Sequence, residues 1–310
     1  MRAFAVPTFN GRGSVIERPV PQPGGGQILV RVRAAGVNPM DPFVVSGVMR
    51  AMVEHRLPIV PGFNYAGTVE AIGAGVEGLT VGDEVFGAVG KPFFGEGSWA
   101  EYVVANAALA NRRPEALGIV EAAALPTAGG AALALWEALG AKHGDTILVV
   151  GAAGGVGSLV TQLATRAGVR VIAATRARNR EFVRDLGASE VVDTGGDVVA
   201  QVREQHPARV AGIVDTYNDV AGLRALAPIV RRGGRIVSPK ARGAEDAFAD
   251  EPVEALVVSA ALSRAGELGD LAARGDLRVR VSTVTLSDAG LALEAIASAG
   301  VQGKLVVTID

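Results

Sequence analysis

The chain has 310 residues, of which 49% are hydrophobic and 20% are charged, with a net charge of −2 and no cysteine. The missing cysteines exclude disulfides, thiolate metal ligands and a cysteine nucleophile. No basic tail or Lys/Arg run indicates nucleic acid or an anionic membrane as a partner. The opening segment MRAFAVPTFN lacks a signal-peptide pattern, so we expect a cytoplasmic protein that acts on a small molecule.

The first third of the chain, residues 1–113, predicts a mainly β domain. Short alternating runs such as QILVRVRAAGV are separated by Gly and Pro, which is typical of antiparallel strands joined by turns. A long apolar stretch follows from Ala116 to Ala141. It contains Glu121, Pro126 and Glu137, which favour a buried element over a membrane span.

Residues 114–264 change to a rhythm of strand and helix. The predicted strands are TILVVGA, VRVIAAT, EVVDT, GIVDTY and GRIVSP, and the helices between the first three are GSLVTQLATRAG and RNREFVRDLGA. Uninterrupted Val/Ile runs between helices indicate a parallel sheet covered on both faces. The fold class is therefore α/β. Beyond this region the pattern is again mixed.

A glycine-rich segment, GAAGGVGS at residues 151–158, joins the first of these strands to its helix. Missing side chains let the backbone approach a ligand, and a helix start presents free N–H groups to an anion. The spacing of Gly151, Gly154 and Gly157 resembles the dinucleotide fingerprint. The alternative is a tight turn with close helix packing. The predicted pyrophosphate contacts are Gly151, Ala153, Gly154, Gly155, Val156 and Gly157.

The end of the second strand selects the cofactor. NAD sites usually carry an acid there, but this chain has Thr175, Arg176 and Arg178, with no acid before Glu181. Arginine binds a 2′-phosphate bidentately and threonine adds a donor, so we expect NADPH. The alternative is a solvated helix start, although cations are disfavoured at that position.

Several segments resemble the medium-chain dehydrogenase/reductase superfamily, and in particular its zinc-free quinone oxidoreductase group. The matching segments are AAGVNPMD, PGFNYAGTVEAIGAGVEGLTVGDEVFG, GSWAEYVV, AAALPTAGG, GDTILVVGAAGGVGS and LGASEVVDT. The resemblance implies a Rossmann domain with a doubly wound parallel sheet at 114–264. It also implies a GroES-like, mainly β substrate domain from 1–113 and 265–310. An active site in the cleft between the domains and a homodimer are further expectations from the family.

Metal ligands are not apparent in the sequence. The three histidines, His55, His143 and His206, are scattered without ligand spacing. The zinc-ligand histidine of the zinc-dependent relatives would fall near Phe63. We therefore expect no metal, and hydrogen bonds must then polarise a substrate carbonyl.

The resemblance also supplies candidate catalytic residues. The asparagine of GVNP, here Asn38, lies beside nicotinamide and substrate in quinone oxidoreductase relatives, and its amide can donate to a carbonyl oxygen. It can equally shape the turn before Pro39. Asp41 can orient a water or Asn38, or cap the next helix. Relatives often carry an acid where this chain has Asn64.

Contacts to the nicotinamide depart from the family pattern. Relatives often read GLTA where this chain has Ala131 in place of the threonine that holds the carboxamide. Thr127, four residues earlier, lies on the same face of a helix and can supply the hydroxyl, unless backbone groups alone hold the amide. Thr216 and Asn218 in DTYND follow a strand at its carboxyl end, where they can contact the cofactor or form a plain loop.

An apolar region is expected to line the substrate site. Its predicted members are Phe43, Met49, Met52, Phe63, Asn64, Phe93 and Phe94. Apolar side chains favour a conjugated carbonyl, although aromatic and Met residues are also ordinary core residues. We expect a zinc-independent, NADPH-dependent reductase of quinones or enones. The alternatives are an enoyl thioester reductase and a non-catalytic NADPH-binding sensor or structural protein.

Overall fold

The fold was analysed in a computed structural model that describes residues 1–298 and 300–310. Backbone contacts divide the chain into two units, Met1–Thr127 with Leu262–Asp310, and Ala128–Ala261. We call them unit 1 and unit 2. The divisions fall at 127/128 and 261/262, against 113/114 and 264/265 in the sequence-based prediction.

The elements follow the chain in three groups. The first group is β1 (Arg2–Ala5), β2 (Ser14–Glu17), β3 (Gln27–Gly36), α1 (Met40–Ser46), β4 (His55–Val60), β5 (Asn64–Ile72), β6 (Glu84–Ala88), β7 (Phe94–Glu96), β8 (Tyr102–Asn106), β9 (Ala110–Arg112) and α2 (Ile119–Leu139). The second is β10 (Thr146–Val150), α3 (Gly155–Arg166), β11 (Arg170–Thr175), α4 (Arg180–Asp185), β12 (Glu190–Asp193), α5 (Val198–Gln205), β13 (Val210–Asp215), α6 (Val220–Leu226), β14 (Val230–Ser238), α7 (Ala244–Ala247) and β15 (Glu254–Val257). The third is α8 (Ala265–Ala273), β16 (Val281–Thr285), α9 (Ala289–Ala297) and β17 (Lys304–Thr308).

Unit 2 contains a six-stranded parallel sheet in the order β12-β11-β10-β13-β14-β15. All five residues of β10 are buried, which explains why its sequence TILVV lacks polar alternation. Strand order reverses between β10, β11 and β13, so the carboxyl end of β10 is the point where such sheets bind ligands. The five predicted strands are present. The sixth, β15, was not predicted because its sequence EALV is short.

Unit 1 is built around a seven-stranded sheet in the order β16-β17-β3-β5-β6-β9, with β8 also paired to β3. β3 is central, with antiparallel β17 on one side and antiparallel β5 on the other. Gly36, the last residue of β3, pairs with Val306 of β17 and with Asn64 of β5. The end of β3 therefore brings together segments from both ends of the chain.

Helix α2 is the apolar stretch that the sequence analysis interpreted as buried. Its 21 residues are long and apolar enough to cross a membrane, and 67% of the most apolar window is buried in the fold. Ala123 of this helix packs closely on the end of β3, because a Cβ on Gly36 would lie 2.4 Å from the Ala123 carbonyl oxygen. This close approach brings Thr127, one turn further along the helix, to the end of the sheet in unit 1.

Candidate functional site

The predicted phosphate turn follows β10 as expected, and the turn requires two of its three spaced glycines, each for a different reason. Gly151 has a φ of +76°, and a Cβ there would lie 2.3 Å from Thr216 Oγ1. A Cβ on Gly157 would lie 2.3 Å from the carbonyl oxygen of Gly151, so this glycine lets the helix pack on the turn. Gly154 has an extended backbone, and the atom nearest to its Cβ would be Gly151 O at 3.3 Å. Only Gly154 is therefore not demanded by the turn itself.

Helix α3 begins at Gly155 with no side-chain cap, because its N-cap residue is Gly154. The first N–H groups of an α-helix have no partner within the helix, and they coincide with the positive end of its dipole. Gly155 and Val156 belong to this first turn, and Ala153 is buried beside it. The turn and the helix start together form an anion site of the kind that binds pyrophosphate.

The end of β11 has the charge pattern predicted from the sequence. Thr175 is the last residue of the strand and is 5% exposed, and its hydroxyl accepts a hydrogen bond from Asn179 Nδ2 at 3.1 Å. Arg176 and Arg178 follow it and are exposed. Among the described residues neither guanidinium has a hydrogen-bond or ion-pair partner, so both remain free to bind an anion. Asp193, which faces Thr175 on β12, accepts the N–H of Gly195.

The segment after β13 is organised by Asp215, which is fully buried. Its carboxylate accepts the backbone N–H groups of Tyr217 and Asn218 and the side-chain amide of Asn218, all at 2.7–2.8 Å. The Thr216 hydroxyl donates to Val150 O at 3.0 Å. Thr216 therefore closes the glycine turn with its only hydroxyl hydrogen, whereas Asn218 keeps its amide oxygen for an acceptor role.

In unit 1, Asp41 holds the segment after β3 in place. It is fully buried, and one carboxylate oxygen accepts Asn38 N at 2.7 Å while the other accepts Gly62 N at 2.9 Å. Asp41 thus positions the backbone of Asn38, which was one of its predicted roles. It has no surface through which to orient a water, and Pro39 rather than Asp41 is the N-cap of α1.

A chain of four polar side chains crosses the end of the unit 1 sheet. Lys304 Nζ lies 2.8 Å from Asn38 Oδ1, Asn38 Nδ2 lies 2.9 Å from Asn64 Oδ1, and Asn64 Nδ2 lies 2.8 Å from Thr127 Oγ1. The first three residues are buried, and only Thr127 is partly exposed. Lys304 begins β17, Asn38 lies in the turn after β3, Asn64 begins β5, and Thr127 lies in α2. Because β17 and β5 are the neighbours of β3 in the sheet, Asn38 lies between Lys304 and Asn64.

The geometry corrects the predicted role of Asn38. Its amide nitrogen donates to Asn64 Oδ1 and, at 3.3 Å, to Gly36 O, so both of its hydrogens are used within the protein. It is also 3% exposed. Asn38 therefore has no free donor for a substrate carbonyl, and the group at the open end of the chain is the Thr127 hydroxyl. Asn64, predicted to line the substrate pocket, is likewise fully buried.

Lys304 was missed in the sequence analysis, although it begins the apolar run KLVVTI in which any charge would be buried. Burial lowers the pKa of Lys304 to about 8, against the opposing effect of the Asp41 charge. Burial likewise raises the pKa of Asp41 to about 7, while hydrogen bonds from the N–H groups of Asn38 and Gly62 and the charge of Lys304 lower it. Both groups therefore titrate near neutral pH.

The predicted substrate residues differ in their contacts and exposure. Phe63 and Phe94 pack edge to face at 5.5 Å between ring centroids, and Phe94 contacts His55 at 5.2 Å. Phe93 is covered by the Arg56 guanidinium at 3.4 Å from its centroid. The remaining three lie on α1 and the loop after it, where Phe43 and Met52 are 53% and 63% exposed and Met49 is half-buried. Phe63, the chain neighbour of Asn64, thus forms an aromatic pair with Phe94.

Within residues 1–298 and 300–310, no group of three or more His, Asp or Glu side chains is arranged to hold a metal ion. His55 lies in the aromatic cluster of unit 1, and His206 contacts Glu190 at 2.8 Å in unit 2. His143 packs against Gly168 in unit 2. Phe63, near which the family resemblance would place the zinc-ligand histidine, packs edge to face on Phe94.

Comparison with known proteins identifies the class of fold. The Alcohol dehydrogenase GroES-like domain family matches residues 24–115, and the Zinc-binding dehydrogenase family matches residues 155–248. The quinone oxidoreductase structure from Coxiella burnetii aligns over 100% of this chain and 99% of its own, with a TM-score of 0.86 and 28% identity. The predicted α/β fold, a Rossmann sheet with a GroES-like β domain, is confirmed.

Two sequence relatives extend the comparison. The chloroplast envelope quinone oxidoreductase homolog of Arabidopsis thaliana is 33% identical over 246 residues, which is 76% of this chain and 74% of that protein. The 2-methylene-furan-3-one reductase of Solanum lycopersicum is 37% identical over 226 residues, 70% of this chain and 56% of that protein. The chain belongs to the medium-chain dehydrogenase/reductase superfamily.

Proposed function

We propose that this protein is an NADPH-dependent reductase that transfers hydride to a conjugated carbonyl compound without zinc. The observation that carries the proposal is the uncapped start of α3 behind a glycine turn, together with Arg176 and Arg178 unpaired at the end of the neighbouring strand. An anion site followed by free arginines in place of an acid matches a pyrophosphate and a 2′-phosphate.

The residues of unit 2 fit this cofactor. A Cβ on Gly154 would meet one atom, Gly151 O at 3.3 Å, so most of the space in front of this residue is left free by the fold. The N–H groups of Gly155 and Val156 bind the pyrophosphate, and Arg176 and Arg178 bind the 2′-phosphate with the Thr175 hydroxyl as a further donor. Asn218, held by Asp215, offers its amide oxygen to a ribose hydroxyl.

NADPH, when bound, supplies a hydride to an electron-poor carbon. The contribution of unit 1 is hydrogen bonding. Thr127 offers its hydroxyl hydrogen to a carbonyl oxygen, and Asn64, Asn38 and Asp41 hold that donor in place without contacting the ligand. A preorganised donor in a desolvated setting stabilises charge that develops on an oxygen more strongly than water does.

The names of the relatives support the substrate class. A quinone and a 2-methylene-furan-3-one are both conjugated carbonyl compounds whose reduction begins with hydride addition to an electron-poor carbon. The aromatic pair Phe63 and Phe94 also favours a conjugated carbonyl substrate, because flat conjugated molecules stack on aromatic rings. The absence of cysteine supports catalysis without a thiolate-bound zinc ion.

Oxidation of NADPH, followed at 340 nm with a panel of quinones, enones and enoyl thioesters, tests the proposal. We expect turnover with a quinone or an enone. Turnover with enoyl thioesters alone would identify the alternative reductase class. Tight binding of NADPH without turnover on any member of the panel would contradict the proposal and favour a sensor or structural protein.

A further inference from the structure

Lys304 fixes the orientation of the amide it contacts. Its Nζ donates to the backbone oxygen of Val37 and to Asn38 Oδ1, the latter at 2.8 Å. An ammonium group has three donors and no acceptor, so the atom of Asn38 that faces it must be the oxygen. The oxygen and nitrogen of an amide have nearly the same shape, and it is the hydrogen-bond partner that distinguishes their two orientations.

The orientation of Asn38 sets every later link. With its oxygen toward Lys304, its nitrogen faces Asn64, whose oxygen must then accept. The nitrogen of Asn64 consequently faces Thr127 and donates to Oγ1 at 2.8 Å. Two longer backbone contacts agree with this direction: Gly36 O accepts Asn38 Nδ2 at 3.3 Å, and Thr127 N donates to Asn64 Oδ1 at 3.4 Å. Each residue thus donates to the next, and the direction of the chain starts from a group that can only donate.

Thr127 is the end of this chain. Its oxygen is occupied as an acceptor, and among the described residues its hydroxyl hydrogen has no acceptor of its own. Thr127 is also the one partly exposed member. Ala131, one turn along α2, has no hydroxyl to offer. The Thr127 hydroxyl, at the end of this series of hydrogen bonds, is therefore still able to donate.

We propose that Lys304 is a positioning residue that, by setting the direction of this chain, makes Thr127 a hydrogen-bond donor to a carbonyl oxygen of the bound ligand. This inference rests on the proposed function, because that function supplies the ligand. The carbonyl belongs either to the nicotinamide carboxamide or to the substrate. The chemistry is the same in both cases, and a binding comparison distinguishes them.

The test combines Lys304→Met and Thr127→Val with their double mutant, and uses Thr127→Ser as the control that keeps the hydroxyl. Dissociation constants are measured for NADPH and for 2′-phospho-ADP-ribose, which lacks the nicotinamide ring. KM is measured for the substrate that the wild-type protein reduces fastest. Thermal melting of each variant without ligand verifies that the fold is retained.

If Thr127 binds the carboxamide, each single variant should weaken NADPH binding by roughly three- to tenfold, the loss expected for one neutral hydrogen bond. Binding of the ring-free fragment should not change. If Thr127 binds the substrate, KM should rise by a similar factor while both dissociation constants stay at their wild-type values. In either case the double mutant should be no worse than Thr127→Val, because Lys304 acts only through Thr127.

A second variant keeps the test decisive if Lys304→Met does not fold. Asn64→Asp retains the acceptor for Asn38, and its ionised carboxylate can only accept, so the Thr127 hydroxyl must donate inward. Because burial favours the protonated carboxyl, which can still donate to Thr127, binding is measured over a range of pH, and the loss seen in Thr127→Val should appear as the pH rises. Wild-type affinity and KM in Asn64→Asp throughout that range or in a folded Lys304→Met, or additive losses in the double mutant, would overturn the inference. A wild-type protein that binds neither NADPH nor the fragment would instead overturn the proposed function, and the inference with it.

Discussion

Lys304 Nζ lies 2.8 Å from Asn38 Oδ1, although 266 positions separate the two residues in the chain. The contact forms because β17 pairs antiparallel with β3 in a register that places Val306 opposite Gly36. The start of β17 then lies beside the residues that follow β3. The buried ammonium group of Lys304 therefore contacts the side-chain amide of Asn38, the candidate catalytic residue from the family resemblance. Asp41 lies three residues further along the chain.

The first prediction concerns pH and stability. Burial lowers the folded-state pKa of Lys304 from 10.5 to about 8. Between these values the unfolded chain binds the proton more strongly, so the free energy of unfolding should rise as pH increases from about 8 to 10.5, by about 3 kcal/mol for this group. The same contribution is lost as pH falls through about 8. Urea unfolding at several pH values should show the rise in the wild-type protein and not in Lys304→Met.

The matched control is Lys142→Met, at an exposed lysine of unit 2, which should keep the rise. Asp41 acts in a lower range and in the opposite direction, because its raised pKa contributes stability that is lost as pH increases from 3.8 through about 7. As pH approaches 10.0, the raised pKa of the buried Tyr65 opposes the rise in both proteins, so it is the difference between the wild type and Lys304→Met that isolates Lys304. A Lys304→Met protein with the same rise as the wild type would contradict the assignment.

The second prediction separates the glycines that bind ligand from those that serve the fold. Gly154→Val should melt only slightly below the wild-type protein without cofactor, since its backbone is extended and its Cβ would make a single tight contact, 3.3 Å from Gly151 O. It should gain no stability on adding NADPH, because its branches fill the space that the phosphates need. Thermal melts with and without NADPH make this measurement.

Gly157→Val is the comparison variant. Its Cβ would lie 2.3 Å from a backbone oxygen, so the free energy of unfolding should fall by about 1–3 kcal/mol even without cofactor. A Gly154→Val protein that binds NADPH normally would mean that the segment is only a turn.

The third prediction is metal independence. Prolonged treatment with a zinc chelator should leave NADPH oxidation unchanged, and elemental analysis should find far less than one zinc ion per chain. The physical reason is that the chain has no thiolate ligand and that Phe63 packs on Phe94 near the expected ligand position. Activity that is lost on chelation and restored by zinc would refute this.

The sequence predicted the parallel sheet, the phosphate turn and the free arginines because each depends on residues close together in the chain. Gly151, Gly154 and Gly157 form one local turn, and Arg176 follows directly on β11. Strand β15 was not predicted because its four residues, EALV, are too few for their hydrophobic periodicity to distinguish a strand from a loop.

The polar chain of unit 1 was only half predicted, because its direction depends on pairing between distant strands. Asn38, Asn64 and Thr127 were each predicted as site residues, but the structure uses both amide hydrogens of Asn38 within the protein, which favours the structural alternative for this residue. Nothing near Asn38 in the sequence shows that its side-chain oxygen accepts a hydrogen bond from Lys304, so that its nitrogen donates to Asn64. Register between β17, β3 and β5 supplies that information.

Cofactor selectivity tests the central claim most directly. The measurement is the ratio of dissociation constants for NADH and NADPH in the wild-type protein, in Arg176→Glu, and in Arg203→Glu as a control at an exposed arginine of α5. A charge-assisted phosphate contact contributes about 1.5–3 kcal/mol, so NADPH should bind roughly tenfold or more tightly to the wild type and to the control. Arg176→Glu should reverse the preference by repelling the 2′-phosphate. Equal dissociation constants for the two cofactors in the wild-type protein would contradict the account.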